Sequence, residues 1–406
     1  MLLVGSCSLQ KNTKFSRSYH ALTTRFNVYF NAEQSYQEGL KNIWDANKDD
    51  YSTVLPLYPI SRHSNAAAAT ANMDRTIEKC RKAIKLHSIK QKPEKDYKKW
   101  NSPEYQAFYN QEEFNPLLKE AWLLLGKAEF HKGDFLGSIG TFSYIAHHFA
   151  ADPDVIIQCQ LWMARAYAEM GWLYEAEDVL SKINQDQLKK EHVGLFAAVN
   201  ADILLKKKEY KEAIPYLQLA IEKESDKKLK QRFTFILGQL YQITGNENAA
   251  YQAFTQVLKS NPPFEMDFYA RIQRAQLNAS NFSLTQKELT KMLKNSKYKD
   301  YQDQIYFAMG KNLLMKGDTL KAIENFKSAI DKSTRNSYDK ANALITLGDL
   351  YYKNKNYKQA YPCYEEASKI ITNEHEDYQR VSRLSEILSE WVVQYDIVML
   401  QDSLQR

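Results

Sequence analysis

Residues 234–263, TFILGQLYQITGNENAAYQAFTQVLKSNPP, hold the pattern that decides the fold. Gly238 follows Leu237 in an apolar run, and a second small residue, Ala250, comes twelve positions later. Between them lie Tyr241 and Gly245, and beyond them Phe254 and Pro262. The spacing predicts two helices joined by a tight turn at Gly245. Glycine ends a helix readily because a left-handed backbone costs nothing without a Cβ. Pro262 stops the second helix, which cannot run through a proline. Gly238 marks where the second helix crosses the first closely, and Ala250 sits on the second helix at the same crossing. Phe254 is expected to fill the groove toward the next pair.

The same register recurs on both sides. Gly126 is followed by Gly133, Ser138 and Phe142, and Ala164 by Tyr167, Gly171, Ala176 and Leu180. Ala201 is followed by Ala213, Leu217 and Ala220. Gly310 is followed by Gly317, Ala322, Phe326 and Ala329, and Gly348 by Tyr351, Ala360, Tyr364 and Ala367. From Gly126 to Gly348 the steps are 38, 37, 37, 72 and 38, and the 72 is two steps of 36 with a degenerate unit near 264–297. This pattern resembles the tetratricopeptide repeat. It implies an all-α, right-handed superhelical solenoid of about eight helical hairpins, built by stacking such units.

The composition agrees. The 406 residues include 13 glycines and 10 prolines, about half the usual share. That excludes collagen-like, linker-like and turn-dense all-β chains. The hydrophobic share of 44% and charged share of 26% exclude wholesale disorder. The formal charge of +6 is weak, and no basic and aromatic module argues for nucleic acid. No apolar run is long enough to span a membrane. Cys80, Cys159 and Cys363 are too far apart for a zinc site or a disulfide scaffold and read as buried apolar thiols.

Four segments are expected. Residues 1–14 read as a signal-peptide remnant, lipobox and tether: Met1 to Ser6 end in small residues before Cys7, whose thiol would take the lipid. The polar run from Ser8 to Ser18 fits a tether. Residues 15–112 read as a divergent helical region with loops. Within it 15–46 is expected to be a helical hairpin, with Tyr19, Leu22, Phe26, Tyr29 and Phe30 as the apolar face of its first helix. A loop follows over 47–65, then an amphipathic run from Asn65 to Ile89, then a polar break over 90–114. Residues 113–375 form the repeat array. Residues 376–406 begin a further repeat that reads as truncated, since a solenoid end normally carries a polar cap.

No catalytic spacing stands out. His147 and His148 are adjacent, so on a helix they face about 100° apart and do not share a metal as an i,i+4 pair does. The Glu374 to Asp377 cluster reads as a solvated turn, and the basic run from Arg81 to Lys99 as a solvated linker face. The expected chemistry is therefore binding, with no enzyme, cofactor, metal, nucleic-acid or small-molecule site. The helix-A positions one, four and five after each small anchor face the groove of such an array. In the first two units the candidates are Lys127, Phe130, His131, Arg165 and Glu169, which would hold an extended or helical peptide.

A more particular resemblance lies outside the repeats. Arg17-Ser18-Tyr19-His20-Ala21-Leu22-Thr23-Thr24-Arg25-Phe26-Asn27-Val28-Tyr29-Phe30-Asn31 is similar to a stretch just after the lipidated cysteine of the SprE/PorW family. So are Phe114 to Lys127, Gly140 to Ile145 and Leu400 to Gln405. These are tetratricopeptide lipoproteins of the Bacteroidota linked to type IX secretion and gliding motility. The resemblance implies a scaffold on the periplasmic side of the outer membrane, anchored by lipid on Cys7 and bound to proteins of the secretion apparatus. The alternatives are a repeat lipoprotein of the β-barrel assembly machinery, a glycan-binding lipoprotein, for which the steady spacing leaves no long loops, and a generic cytosolic adaptor.

Overall fold

A computed structural model describes residues 12–51, 53–277, 282–334, 338–373 and 375–405. Cys7 lies outside the described residues. The fold is all-α, built of paired helical hairpins, and the described residues contain no strand. They divide into two compact units, Met1–Asp50 with Val54–Thr244, and Tyr51–Thr53 with Gly245–Arg406. The division falls inside the repeat array, in the turn at Gly245.

Among the described residues, the first elements of unit 1 are α1 (Lys14–Thr23), a π-helical turn (Thr24–Tyr29) and α2 (Phe30–Ala46). These run on without a break, because every residue at the junctions keeps helical angles. The expected hairpin over 15–46 is thus one long helix, and part of the expected tether, from Lys14, is already helical. Residues 47–69 carry two 3₁₀ stretches, Pro59–Ser61 and His63–Ala69, and lead to α3 (Thr70–His87). The polar break contains a short helix, α4 (Pro103–Tyr109). The repeats follow as α5 (Leu118–Lys132) with α6 (Phe135–His148), α7 (Pro153–Glu169) with α8 (Leu173–Ser181), and α9 (Lys190–Lys206) with α10 (Tyr210–Lys223). Helix α11 (Lys227–Ile243) completes the unit.

Unit 2 holds α12 (Glu247–Lys259), α13 (Phe264–Leu277) and α14 (Phe282–Leu293), the last two lying where the degenerate repeat was expected. It continues with α15 (Gln302–Met315) and α16 (Thr319–Lys332), then α17 (Tyr338–Lys353) and α18 (Tyr357–Ile370). The last element, α19 (Tyr378–Gln405), buries Val381 and Leu388 against the unit core and leaves Ile397, Leu400 and Leu404 exposed.

The small anchors do what their spacing implies. A Cβ at Gly126 would lie 2.8 Å from Cζ of Phe142, and one at Gly310 would lie 2.7 Å from Cε1 of Phe326. At Gly348 it would lie 3.0 Å from Tyr364. The aromatic ring therefore presses on the glycine of its own hairpin, which was not expected. Phe142 also reaches forward, stacking on Trp162 of the next pair with centroids 6.0 Å apart. At the second small position, Ser138 Oγ donates to the Gly126 carbonyl at 2.9 Å, tying the two helices at their crossing.

The turns obey the same register. Gly133, Gly171, Gly245 and Gly317 all have φ between 76° and 88°. The residue after this turn position caps the second helix: Asp134, Asn246, Asp318 and, after Lys355 in place of glycine, Asn356 each accept a hydrogen bond from the backbone N–H three residues on. Trp172 and Glu209 occupy the same place without a side-chain cap bond.

Candidate functional site

The candidate residues lie on the first helices of their hairpins, and in unit 1 this face is covered by the chain itself. Residues 54–66 run along it as an irregular strip in which Leu55, Leu57 and Ile60 are almost wholly buried. Phe130, His131, Arg165 and Glu169 are buried beneath the covering segments, and Lys127 is half-buried. None of the four buried side chains is open to a partner, a point the repeat register could not reveal.

Each candidate has an internal partner. Nδ1 of His131 lies 2.9 Å from the Lys127 carbonyl and 3.1 Å from the Tyr36 hydroxyl on α2. Burial, aided by the Arg165 charge, pushes the His131 pKa down to about 3, so the ring is neutral near pH 7. The Arg165 guanidinium sits in an aromatic box, 4.2 Å from the Tyr58 centroid, 4.4 Å from Trp162 and 4.8 Å from Phe130. Tyr58 belongs to the covering strip, so this box joins the strip to α5 and α7. Glu169 accepts from Ser61 Oγ at 2.7 Å and from Lys206 Nζ at 3.2 Å. Burial raises its pKa against these partners. Lys206 also donates to Asp202 at 2.6 Å, and the two carboxylates hold its ammonium above its usual range despite burial.

The strongest clamp is one that sequence reasoning missed. Arg232 of α11 is fully buried. Its Nη1 and Nη2 pair with the Asp49 carboxylate at 2.6 and 2.9 Å. Its Nε lies 3.1 Å from the Leu57 carbonyl, and Nη2 donates to the Pro56 carbonyl at 2.8 Å. Nearby, Gln239 Oε1 accepts from the Leu55 N–H at 3.1 Å. Gln239 follows the anchor Gly238 by one position, so the register rule does find it. Arg232 lies a turn and a half before that anchor, where the rule does not look.

Unit 2 differs in part. The equivalent positions after Gly310 are Lys311, Leu314 and Met315, and those after Gly348 are Asp349, Tyr352 and Lys353. Lys311, Met315, Tyr352 and Lys353 are exposed, while Leu314 and Asp349 are half-buried and Asp349 pairs with Arg380 at 2.7 Å. The exposed four offer two ammonium groups, a thioether and a phenol ring. This suits contact with a peptide carrying acidic and apolar side chains.

Two other clusters are internally paired. Asp154 Oδ1 lies 2.8 Å from His192 Nε2 and 3.1 Å from Lys189 Nζ, with Glu191 close by. Burial raises the Asp154 pKa, and the His192 and Lys189 contacts outweigh it, leaving the carboxyl below its usual range. The lysine competes for the oxygen a cation would need. A cleft of 540 Å³ beside the start of α5 is lined by Lys119, His148 and Asp152. There Lys119 pairs with Asp152 at 3.1 Å, and His148 Nδ1 lies 2.6 Å from Glu112.

Two segments match the tetratricopeptide repeat family, residues 233–264 and residues 341–373. With its hairpins and their register, the chain is an all-α tetratricopeptide-repeat protein. Among solved structures, a tetratricopeptide repeat protein from Parabacteroides merdae is 14% identical, with 88% of this chain and 99% of that chain covered at a TM-score of 0.37. The apo form of RapI is 15% identical, with 66% and 80% covered at a TM-score of 0.45. A Rap protein complexed with competence and sporulation factor is 17% identical, with 62% and 76% covered at a TM-score of 0.40. No curated protein matches the sequence.

Proposed function

We propose that this chain is a non-catalytic scaffold of the type IX secretion and gliding machinery. It is held at the periplasmic side of the outer membrane by lipid on Cys7. The scaffold reading rests on the exposed first-helix positions of unit 2, Lys311, Met315, Tyr352 and Lys353. The choice of machinery rests on the likeness of residues 17–31 to the SprE/PorW family. No described helix is long and apolar enough to cross a membrane. The anchor in this reading is therefore covalent, at about 0.8 kcal/mol per buried CH₂ of acyl chain.

Affinity capture from cell envelopes tests the machinery: type IX components should co-purify with the tagged protein. Recovery of β-barrel assembly components instead transfers the scaffold to that machine. Acyl labelling tests the anchor. Label should enter the natural chain and be lost in Cys7→Ser; equal label in both removes the lipoprotein reading.

A further inference from the structure

The helix that opens the described chain wears its bulky apolar side chains on the outside. Phe15, Tyr19, Leu22, Phe26 and Phe30 are 76%, 46%, 62%, 61% and 55% exposed. They follow one another by four, three, four and four positions, which is one face of a helix. The opposite face, Ser16, His20, Thr24, Val28 and Ala32, is buried in unit 1. That face is made mostly of small and polar residues, which lets the helix backbone come close to α3. Thr76 Oγ1 donates to the Ala32 carbonyl across this contact at 3.3 Å. The π-turn lies between Leu22 and Phe30 and leaves both outward. Five bulky apolar side chains in one stripe form a patch of the sort a soluble monomer rarely leaves bare.

The charges around the stripe name its partner. From Met1 to Ala32 the sequence has Lys11, Lys14, Arg17 and Arg25 and no acid; the first is Glu33. Lys14 and Arg25 are exposed beside the stripe, and the Arg25 guanidinium lies 5.6 Å from the Phe26 centroid. Acids and bases are nearly balanced over the whole chain, 49 against 55, so this run is a local exception. A helix whose aromatic apolar face is flanked by bases, with its nearest acid, the half-buried Glu33, about one turn beyond Phe30, is suited to lie in the plane of a bilayer interface. A second copy of the same face would set these bases against one another.

We propose that the Phe15–Phe30 face docks on an anionic phospholipid surface. Its rings enter the headgroup boundary while Lys14 and Arg25 meet the phosphates. This contact adds to a lipid on Cys7 and does not require it. It would lay the first helix flat on the membrane and so fix how the scaffold stands on it.

The test uses the full chain carrying Cys7→Ser, so that no acyl group contributes. Its co-sedimentation is measured with vesicles of phosphatidylglycerol and phosphatidylethanolamine, and with vesicles of phosphatidylcholine alone. The chain should sediment with the anionic vesicles, and less so as salt is raised. Adding Leu22→Ser and Phe26→Ser should weaken binding about tenfold or more. Adding Lys14→Glu and Arg25→Glu should abolish the preference for anionic vesicles. Circular dichroism should show unchanged helicity in both variants, because these side chains are exposed. The proposal falls if the chain ignores anionic vesicles, or if the Leu22 and Phe26 variant binds as well as its parent. It also falls if the lipid-free chain is a dimer that this variant separates, since the face would then be a protein interface.

Discussion

Lys208 and Lys355 show how single residues carry the repeat. Each lies seven positions after its anchor, Ala201 or Gly348, where other hairpins place glycine. Both adopt the left-handed conformation anyway, with φ of 62° and 58°. The turn geometry thus survives loss of the residue that makes it easy, at a cost of about 1 kcal/mol. Lys208→Gly and Lys355→Gly should each raise stability by about 0.5–1 kcal/mol, read as a higher urea midpoint with an unchanged slope. The anchors give the opposite test. Gly126→Ala would drive a methyl into Phe142 and should cost about 1–3 kcal/mol, partly relieved by Phe142→Leu. Gly140→Ala, with nothing within 4 Å of the added Cβ, should stabilise its helix by about 0.5–1 kcal/mol. Thermal melts of the three variants separate these signs.

Among the elements, the covering strip and the first helix were the least legible. The apolar stripe from Tyr19 to Phe30 was readable, but its direction was not. Amphipathicity gives two faces, and the core took the face whose small residues allow close approach to α3. For the strip, Pro56 and Pro59 marked a loop, while its burial depends on Arg232, about 180 residues away. Arg232→Met should cost about 3–5 kcal/mol, because the Asp49 carboxylate and the strip carbonyls would be left buried without a donor. Limited proteolysis should then cut within 54–66, where the natural chain resists. Acid should loosen the same unit. His20 and His87 face each other with Nδ1 atoms 3.0 Å apart, and burial lowers both pKa values. His131 is lowered by burial to about 3. All three are neutral in the folded state at pH values where the unfolded chain already binds protons. Stability is therefore complete above the ordinary histidine pKa of about 6.5 and falls as pH drops below it, for His131 down to about 3. Urea melts from pH 7 to pH 4 should show this slope, and His131→Gln should flatten it.

For the whole molecule, the two units carry the same repeat but present different surfaces. In unit 1 the first-helix positions hold the chain's own strip, so Arg165→Ala and Glu169→Gln should lower stability and leave partner capture intact in the folded fraction. In unit 2, Lys311→Glu with Lys353→Glu should leave the melting temperature unchanged and reduce capture of the partner severalfold. Pull-down yields beside melting curves distinguish the two effects. The sequence by itself determined the all-α fold, the register of the hairpins, the turns that end them and the small residues at the crossings. It could do so because these depend on contacts within about 16 residues, which recur with the repeat and are read as spacing. Only the tertiary structure decided that Phe130, His131, Arg165 and Glu169 lie covered, that Arg232 is buried against the covering strip, and that Phe15 to Phe30 point outward. Those outcomes depend on where distant segments come to rest, and local periodicity shows that a helix has an apolar face without saying what will cover it.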